Sequence, residues 1–404
     1  MCRNSENRER EPSASNAMDG VQQRYLTRMQ AWLAVPGILF PPRWLLALLA
    51  FVTVIAPVAS AQSGKQYDVP PEGKTEIFPF ASYDTDAGFG LGLKLFALHH
   101  LQRQESFDIV LFWSTKGERW IRTAFSIRDP ELRQGAVYPL AVDVVVDYDK
   151  WTNYQFFGVG NSSRYDALET YTKEPLELSL ILSRGITTRL VASVGLRGRW
   201  IRNSGLDPSG ELANHPSPQT QGVASGLGLV LGLRYDSRNS AVHPSDGLVL
   251  LVESELAPSW SVGNTASYRG LASCSWYQLI PATGIILATR ASLRGVGGPE
   301  LPVQMLAGVG GSRTVRGYVH ERFIDRLAGV VNLELRFPIL WRFTGIAGLD
   351  AGKVWQSFAL IDLRRWATSP VVGLRFFMDT FIVRADVGFG PETTGFYLNF
   401  GHAF

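Results

Sequence analysis

From about residue 75 onward, the chain consists of short segments in which apolar positions alternate with polar or glycine positions. Successive side chains of a strand point to opposite faces, so a period of two predicts half-buried strands rather than helices. The pattern is clearest in the last segment, where we expect one face to meet lipid and the other to line a lumen. The lipid face is predicted to carry Phe396, Leu398, Phe400, His402 and Phe404. The segment 381–389 repeats the alternation, which predicts that Arg384 and Asp386 face the lumen.

Sixteen such segments are predicted as strands. An even number lets both ends of the chain lie on one side of a membrane, and a sheet in lipid must close because unpaired edge groups are costly there. The sequence therefore predicts an all-β fold, a membrane-spanning antiparallel β-barrel of sixteen strands. The predicted strands are 75–83, 88–98, 107–115, 119–128, 137–149, 174–183, 187–202, 222–236, 246–257, 266–280, 284–297, 329–338, 343–354, 368–378, 381–389 and 395–404.

The lengths of the connections agree with this order of strands. Bacterial barrels have short periplasmic turns and longer loops on the outside. The four longest connections, 150–173, 203–221, 298–328 and 355–367, all fall on one side of the predicted barrel. We expect this side to face outward.

Ahead of the strands, residues 1–61 are predicted to form a precursor segment. The apolar run Trp44–Ile55, followed by Ala59–Ala61, is typical of a secretory signal peptide with a small-residue cleavage site. A retained membrane helix is the alternative, but it needs ~20 apolar residues and prolines interrupt the longer stretch. A short periplasmic lead, 62–74, then precedes the barrel, 75–404. The first thirty residues lack periodicity, so two later methionines, Met18 and Met29, are alternative translation starts.

The composition argues against a nucleic-acid partner and against a cysteine framework. Charged residues make up 19% of the chain, the formal net charge is +3, and 40 residues are glycine. Beyond residue 61 there are 33 basic and 32 acidic side chains, because residues 1–61 hold six of the 39 basic and four of the 36 acidic ones. Nucleic-acid binding needs a concentrated basic surface, so we expect no nucleic-acid partner. Cys2 and Cys274 lie too far apart in sequence to indicate a disulfide or zinc framework.

No catalytic, metal or cofactor site is predicted, and we do not expect an enzyme. The pairs His99-His100 and His320-Glu321 are adjacent, and adjacent side chains diverge on a strand. The glycine runs, such as Gly88 to Gly92, lack the dinucleotide fingerprint and are typical of small lumen-facing strand residues.

One glycine-rich segment, from about Gly297 to Gly329, contains the run Val315-Arg316-Gly317-Tyr318. Its arginine is permanently charged and needs a carboxylate if it leaves bulk water. Glu334 and Asp350 follow on segments with strand-like alternation, on the face opposite the apolar residues. Both acids are therefore candidate partners of Arg316. A solvated loop arginine is the alternative.

Motif, acids, spacing and chain end together resemble the outer-membrane assembly-factor superfamily of the BamA, TamA and bacterial surface-antigen type. The resemblance implies that Val315, Arg316, Gly317 and Tyr318 lie at the tip of a long surface loop inserted into the lumen. By the same resemblance, Arg316 pairs there with Glu334 and Asp350, which match the family's acids on the two following strands. It also implies that the chain end is an insertion signal formed by Phe396, Leu398, Phe400 and Phe404. The resemblance covers the barrel only, since most relatives carry folded periplasmic (POTRA) modules and residues 62–74 leave no room for one.

The resemblance further implies a bacterial outer-membrane location and a role in inserting or translocating proteins. In the family, the mechanism uses a weak seam between the first and last strands, here 75–83 and 395–404. The expected partners are outer-membrane lipid and an unfolded barrel client or a separate periplasmic or soluble partner. The alternative is a passive pore or structural barrel acting with a separate soluble partner. A soluble barrel enzyme conflicts with the signal segment, the alternation and Phe404.

Overall fold

The computed structural model describes residues 73–378 and 382–404. The expected precursor segment 1–61 and nearly all of the lead 62–74 lie outside the described residues. The described strands, numbered in chain order, are β1 (Lys74–Asp84), β2 (Gly88–Leu98), β3 (Ser106–Ser114), β4 (Glu118–Ile127), β5 (Tyr138–Phe156), β6 (Glu169–Gly185), β7 (Leu190–Ser204), β8 (Val223–Asp236), β9 (Asp246–Ala257), β10 (Ser267–Leu279), β11 (Ile286–Gly297), β12 (Ala307–Val309), β13 (Phe323–Asp325), β14 (Leu327–Leu340), β15 (Phe343–Trp355), β16 (Ala367–Phe377), β17 (Ile382–Phe389) and β18 (Thr394–Phe400).

Helical structure in the described residues is short. One α-helical turn occurs at Pro130–Arg133, and 3-10 turns occur at Pro218–Gln221, Val303–Met305 and Phe358–Leu360. None of the helices in the described part of the chain combines the length and the apolar character that a bilayer span needs.

Sixteen strands form one closed antiparallel barrel, which confirms the predicted fold and strand number. Each strand pairs with its neighbours along the chain, β11 pairs with β14 across the long loop, and β1 closes the barrel on β18. The four longest described loops, 157–168, 205–222, 298–326 and 356–366, lie at the same end of the barrel. We call this the long-loop end and the opposite one the short-turn end.

The wall has an apolar outside and a polar inside. On β8, Leu229, Leu231 and Leu233 are 45%, 53% and 47% exposed, whereas Val230 between them is 1% exposed. Inside, Arg199 pairs with Glu177 at 2.8 Å and also with the buried Glu255. An outer apolar band with a polar lumen is the arrangement that a transmembrane barrel requires.

The hairpin of β5 and β6 is longer than predicted. The predicted strands, 137–149 and 174–183, stop short of Phe156 and Glu169, where the observed strands end and begin. Residues expected to be loop are ordered because they pack against the neighbouring loops. This buried cluster consists of Tyr154, Phe156, Tyr171, Leu212, Val303 and Ile324.

The long loop, residues 298–326, contains a small sheet that the sequence analysis missed. Strands β12 and β13 pair antiparallel, with Gly308 opposite Ile324. Strands of three residues carry too little alternation to be predicted from sequence. They are held by an apolar cluster between the loop and the barrel wall, formed by Val309, Val315, Tyr318, Phe323, Ala328, Val330 and Val354.

The expected lipid face of the last strand is wrong beyond Phe400. Phe396, Leu398 and Phe400 are exposed as predicted, but β18 ends at Phe400. Gly401 has φ +78°, a left-handed conformation that glycine adopts readily, and it breaks the alternation there. The Phe404 ring centroid consequently lies 5.5 Å from the guanidinium of Arg336, which is 1% exposed. Phe404 is therefore turned toward the lumen.

The other residue of the tail that was assigned to the lipid face, His402, is turned inward as well. Its Nε2 donates to the carbonyl oxygen of Val242 at 3.1 Å, in the turn between β8 and β9. The Phe404 ring is also within 5.1 Å of the Arg290 guanidinium, and the Ala403 carbonyl accepts from Arg290 at 3.4 Å. We call residues 401–404 the inward tail.

Candidate functional site

The candidate site lies where the long loop meets the inner wall of the barrel. Arg316 of the loop is 1% exposed, and Glu334 and Asp350 are both 0% exposed. Glu334 stands on β14 and Asp350 on β15, which are paired neighbours in the wall. Both carboxylates point inward because each lies on the face opposite the exposed residues of its strand.

Arg316 makes a two-pronged contact with Asp350. Its Nε donates to Oδ2 at 2.7 Å and its Nη2 donates to Oδ1 at 2.9 Å. The backbone N–H of Arg316 also donates to Oδ2 at 3.1 Å. The remaining terminal nitrogen, Nη1, donates to Glu334 Oε1 at 2.8 Å. The structure thus brings together the arginine and both acids that the sequence singled out.

A third carboxylate completes the arginine's surroundings. Nη1 of Arg316 donates to Oδ2 of Asp386 on β17 at 3.0 Å. Sequence alternation predicted that Asp386 faces the lumen, but nothing in it predicted that strand β17 would reach the loop. A guanidinium held by three acids on β14, β15 and β17 fixes the loop to several strands at once.

Three further arginines share these acids. Arg336 Nε donates to Glu334 at 2.9 Å, Arg375 bridges Glu334 and Asp386, and Arg384 Nη1 donates to Asp386 at 3.2 Å. Four buried cations therefore face three buried anions. Asp350 is different, because in the described part of the chain its one other side-chain hydrogen bond comes from the neutral Asn332, at 2.7 Å.

The charge state of the loop arginine follows from this arrangement. Burial alone would lower the pKa of Arg316, but Asp350 and Glu334 outweigh it and hold the pKa well above its ordinary value. Arg316 is therefore cationic, and its charge holds the loop against the carboxylates of the wall.

The rest of the predicted motif supports the loop by packing. Val315 is completely buried and Tyr318 is 5% exposed, both in the apolar cluster between loop and wall. Gly317 has φ +93°, and a Cβ there would lie 2.7 Å from the backbone of Gly388 on β17. Only glycine fits where the loop backbone passes this close to the wall.

A second polar cluster, which the sequence analysis missed, holds the end of the loop. Lys173 Nζ lies 3.0 Å from Glu321 Oε2, and Tyr154 OH also donates to this carboxylate. Burial alone would raise the pKa of Glu321, but Lys173, His320 and Tyr154 lower it to about 2. The sequence analysis weighed His320-Glu321 only as a metal pair, and no pattern connects it with Lys173, which lies far back along the chain.

The seam between β1 and β18 is the shortest strand pairing in the barrel. Two residue pairs join the strands, Tyr83 with Leu398 and Asp84 with Tyr397. The adjacent pairing of β1 with β2 runs from Lys74 to Asp84 without interruption. Thr85, just beyond β1, adds a backbone hydrogen bond to the Phe396 carbonyl at 3.1 Å and accepts from the Phe396 N–H at 2.7 Å. The strand pairing at the seam is short because β18 ends at Phe400 and the chain then turns inward.

Comparison with known proteins identifies the family. The sequence profile of the Omp85 superfamily domain matches residues 109–404. The chain belongs to the Omp85 superfamily. This confirms the resemblance seen in the motif and chain end. A search of curated proteins gave no significant match.

Solved Omp85 barrels have the same fold. BamA from Haemophilus ducreyi, in a form lacking POTRA domains 1–3, aligns with TM-score 0.60 and 14% identity, covering 81% of this chain and 70% of that one. CdiB from Escherichia coli aligns with TM-score 0.57 and 14% identity, covering 80% and 62%. CdiB from Acinetobacter baumannii aligns with TM-score 0.51 and 15% identity, covering 82% and 60%. The chain thus spans less than two thirds of each CdiB chain.

Membership of the Omp85 superfamily implies a bacterial outer-membrane location. Membership of this family supports a general role in protein insertion or translocation.

Proposed function

We propose that this Omp85 barrel inserts proteins into, or translocates them across, the bacterial outer membrane by opening the seam between β1 and β18. The observation that carries the proposal is the two-pair closure at Tyr83–Leu398 and Asp84–Tyr397. Separating these two residue pairs breaks far fewer backbone hydrogen bonds than separating any other two neighbouring strands among the described residues. The seam is therefore the place where the wall opens at least cost.

The loop site supports this function by keeping the lumen closed while the wall opens sideways. Arg316 and its carboxylates hold the long loop inside the barrel against β14, β15 and β17. A lumen filled in this way favours lateral exchange of a client with the membrane over free diffusion through a passive pore. An unfolded barrel client, delivered with or without a separate periplasmic partner, is the corresponding substrate.

A disulfide across the seam tests the proposal. In a Cys274→Ser background, the pair Tyr83→Cys and Leu398→Cys should lock the seam when oxidised, since residues opposite each other on antiparallel strands come within disulfide range. The matched control, Ala385→Cys with Leu398→Cys, shares one substitution and locks β17 to β18 instead. The measurement is insertion of an unfolded barrel client into proteoliposomes and the level of other barrels in cells.

We expect the seam lock to abolish insertion until a reductant is added, whereas the control pair has no effect. If locked and reduced seams act equally, or no client depends on the protein, the insertion proposal fails. A structural barrel working with a separate soluble partner is then the better description.

A further inference from the structure

Three consecutive residues at the end of the long loop, His320, Glu321 and Arg322, contact different parts of the barrel. The His320 backbone N–H donates to Asp86 Oδ2 at 2.7 Å, in the turn between β1 and β2. Arg322 donates from Nε and Nη2 to the two carboxylate oxygens of Glu392 at 2.6 and 2.7 Å, in the turn between β17 and β18. These two turns belong to the hairpins on opposite sides of the seam.

On the β18 side, Arg322 is buried and fixed by several hydrogen bonds and aromatic contacts. Arg322 is 1% exposed, and its Nη1 and Nη2 also donate to the hydroxyl and carbonyl oxygens of Ser163 at 2.8 and 2.9 Å. Its guanidinium lies 4.7 Å from the Phe157 ring centroid and 4.6 Å from that of Phe323. A buried, two-pronged guanidinium with aromatic walls has few other orientations, so Glu392 is held in place.

The middle residue keeps the segment down against the wall. Glu321 pairs with Lys173 of β6, and His320 stacks on Trp151 of β5 at 5.3 Å between ring centroids. The segment is therefore anchored independently of the seam. A fixed segment bonded to both seam hairpins can hold them together, whereas a mobile loop tip could not.

We propose that residues 320–322 form a clasp that bridges the two hairpins at the long-loop end and controls opening of the seam. The clasp sits beside Tyr83–Leu398 and Asp84–Tyr397, so the direct pairs and the clasp close the same end. Beside these pairs, the Thr85 N–H donates to the Phe396 carbonyl at 3.1 Å, and the Phe80 and Phe400 ring centroids lie 5.4 Å apart. The clasp is thus one of the contacts that opening must break, together with the strand pairs and these two interactions.

The clasp differs from the Arg316 site in what it connects. Arg316 pairs with acids on β14, β15 and β17, all on the β18 side of the seam. It therefore fixes the loop without holding β1. Because only the clasp reaches both Asp86 and Glu392 among the described contacts of the loop, its loss should affect the seam and leave the loop in the lumen.

The inference is tested with the seam cysteines Tyr83→Cys and Leu398→Cys as a proximity sensor. Glu392→Gln and Arg322→Lys each remove the charged two-pronged contact with little change in size. Each should lower the ratio of closed to open seam by about tenfold, the factor expected for one hydrogen bond to a charged group. Because trapping follows the closed fraction, it is measured at a urea concentration at which half of the parent's seams are open, where it should slow about fivefold. Heat-modifiable migration on gels verifies that each variant is folded.

Asp362→Ala is the matched control, since Asp362 pairs with the buried Lys353 at the same end, at 2.6 Å, but away from the seam. It should leave trapping unchanged. If folded Glu392→Gln and Arg322→Lys trap as fast as the parent, the clasp is wrong.

A role of the clasp in transport rests on the proposed function. The trapping assay needs no client, so it tests the clasp separately from that function. Slower trapping with unaltered client insertion supports the clasp and contradicts seam-mediated insertion. Unchanged trapping, in a protein whose locked seam blocks insertion, contradicts the clasp alone.

Discussion

Arg316 and Asp350 form a buried two-pronged ion pair, with Nε 2.7 Å from Oδ2 and Nη2 2.9 Å from Oδ1. Removing one partner of a buried pair costs about 3 to 5 kcal/mol, reduced wherever water replaces it. We expect Arg316→Ala to leave a folded barrel whose loop, 298–326, is cut by protease. Limited proteolysis and single-channel conductance, which should rise or become noisy, measure this. Arg313→Ala is the control, because Arg313 is exposed in the same loop.

Arg316→Lys should rescue poorly, since an ammonium cannot form the planar fork that serves two acids. Which acid is left uncompensated can also be tested. Glu334 and Asp386 keep other arginines when Arg316 is removed, but Asp350 keeps only Asn332. Arg316→Ala with Asp350→Asn should therefore recover part of the barrel's stability without re-anchoring the loop. Equal proteolysis of Arg316→Ala, Arg313→Ala and the parent would contradict the lumenal pairing.

Topology is tested by labelling cysteines on intact cells. Leu363→Cys, at the long-loop end, is 78% exposed in the parent, and Ala241→Cys lies in an exposed position of the turn between β8 and β9. We expect an impermeant thiol reagent to label only Leu363→Cys until the outer membrane is permeabilised. Labelling of Ala241→Cys on intact cells would reverse the orientation that we assign to the barrel.

The strands could be predicted because the alternation that indicates each strand lies within one short segment of sequence. A period of two assigned Arg384 and Asp386 to the lumen and Phe396 to the lipid without any knowledge of their partners. Contacts between distant segments were not predictable in this way. Asp386 contacts Arg316 and Glu392 contacts Arg322 because the long loop folds back across the inner wall, and no spacing along the chain encodes that path. The family resemblance gave Glu334 and Asp350 because those acids belong to its motif.

The inward tail also limits what alternation can predict. Phe404 continues the period of Phe396, Leu398 and Phe400, but one left-handed residue, Gly401, moves it to the other side of the wall. A glycine within a strand pattern can also occupy an ordinary extended conformation, so its backbone geometry had to be observed.

Removing Phe404 should lower the amount of heat-modifiable barrel while secretion across the inner membrane stays intact. The aromatic ring lies 5.1 Å from the Arg290 guanidinium, a contact of about 0.5 to 2 kcal/mol. Phe404→Leu tests whether Phe404 acts through the contact of its aromatic ring with the arginines or through its apolar bulk. If the ring acts through the arginines, leucine behaves like the deletion, whereas Phe404→Tyr behaves like the parent. Normal assembly of the deletion would exclude any need for this residue.

Asp86 should make stability depend on pH. Burial and the neighbouring Asp84 raise the pKa of Asp86 from an ordinary value of 3.8 to about 7. Between these values the folded protein keeps a proton that the unfolded chain has released, so stability falls as pH rises from about 4 to 7 and is level above that range.

Asp86→Asn should remove this part of the pH dependence and keep an acceptor oxygen for the His320 N–H. The midpoint of thermal unfolding in detergent micelles, measured from pH 4 to 8, gives the slope. The control is Asp166→Asn, because Asp166 is exposed and pairs only with its neighbour Arg164. A slope that is the same in Asp86→Asn, Asp166→Asn and the parent would mean that Asp86 titrates alike in the folded and unfolded chains.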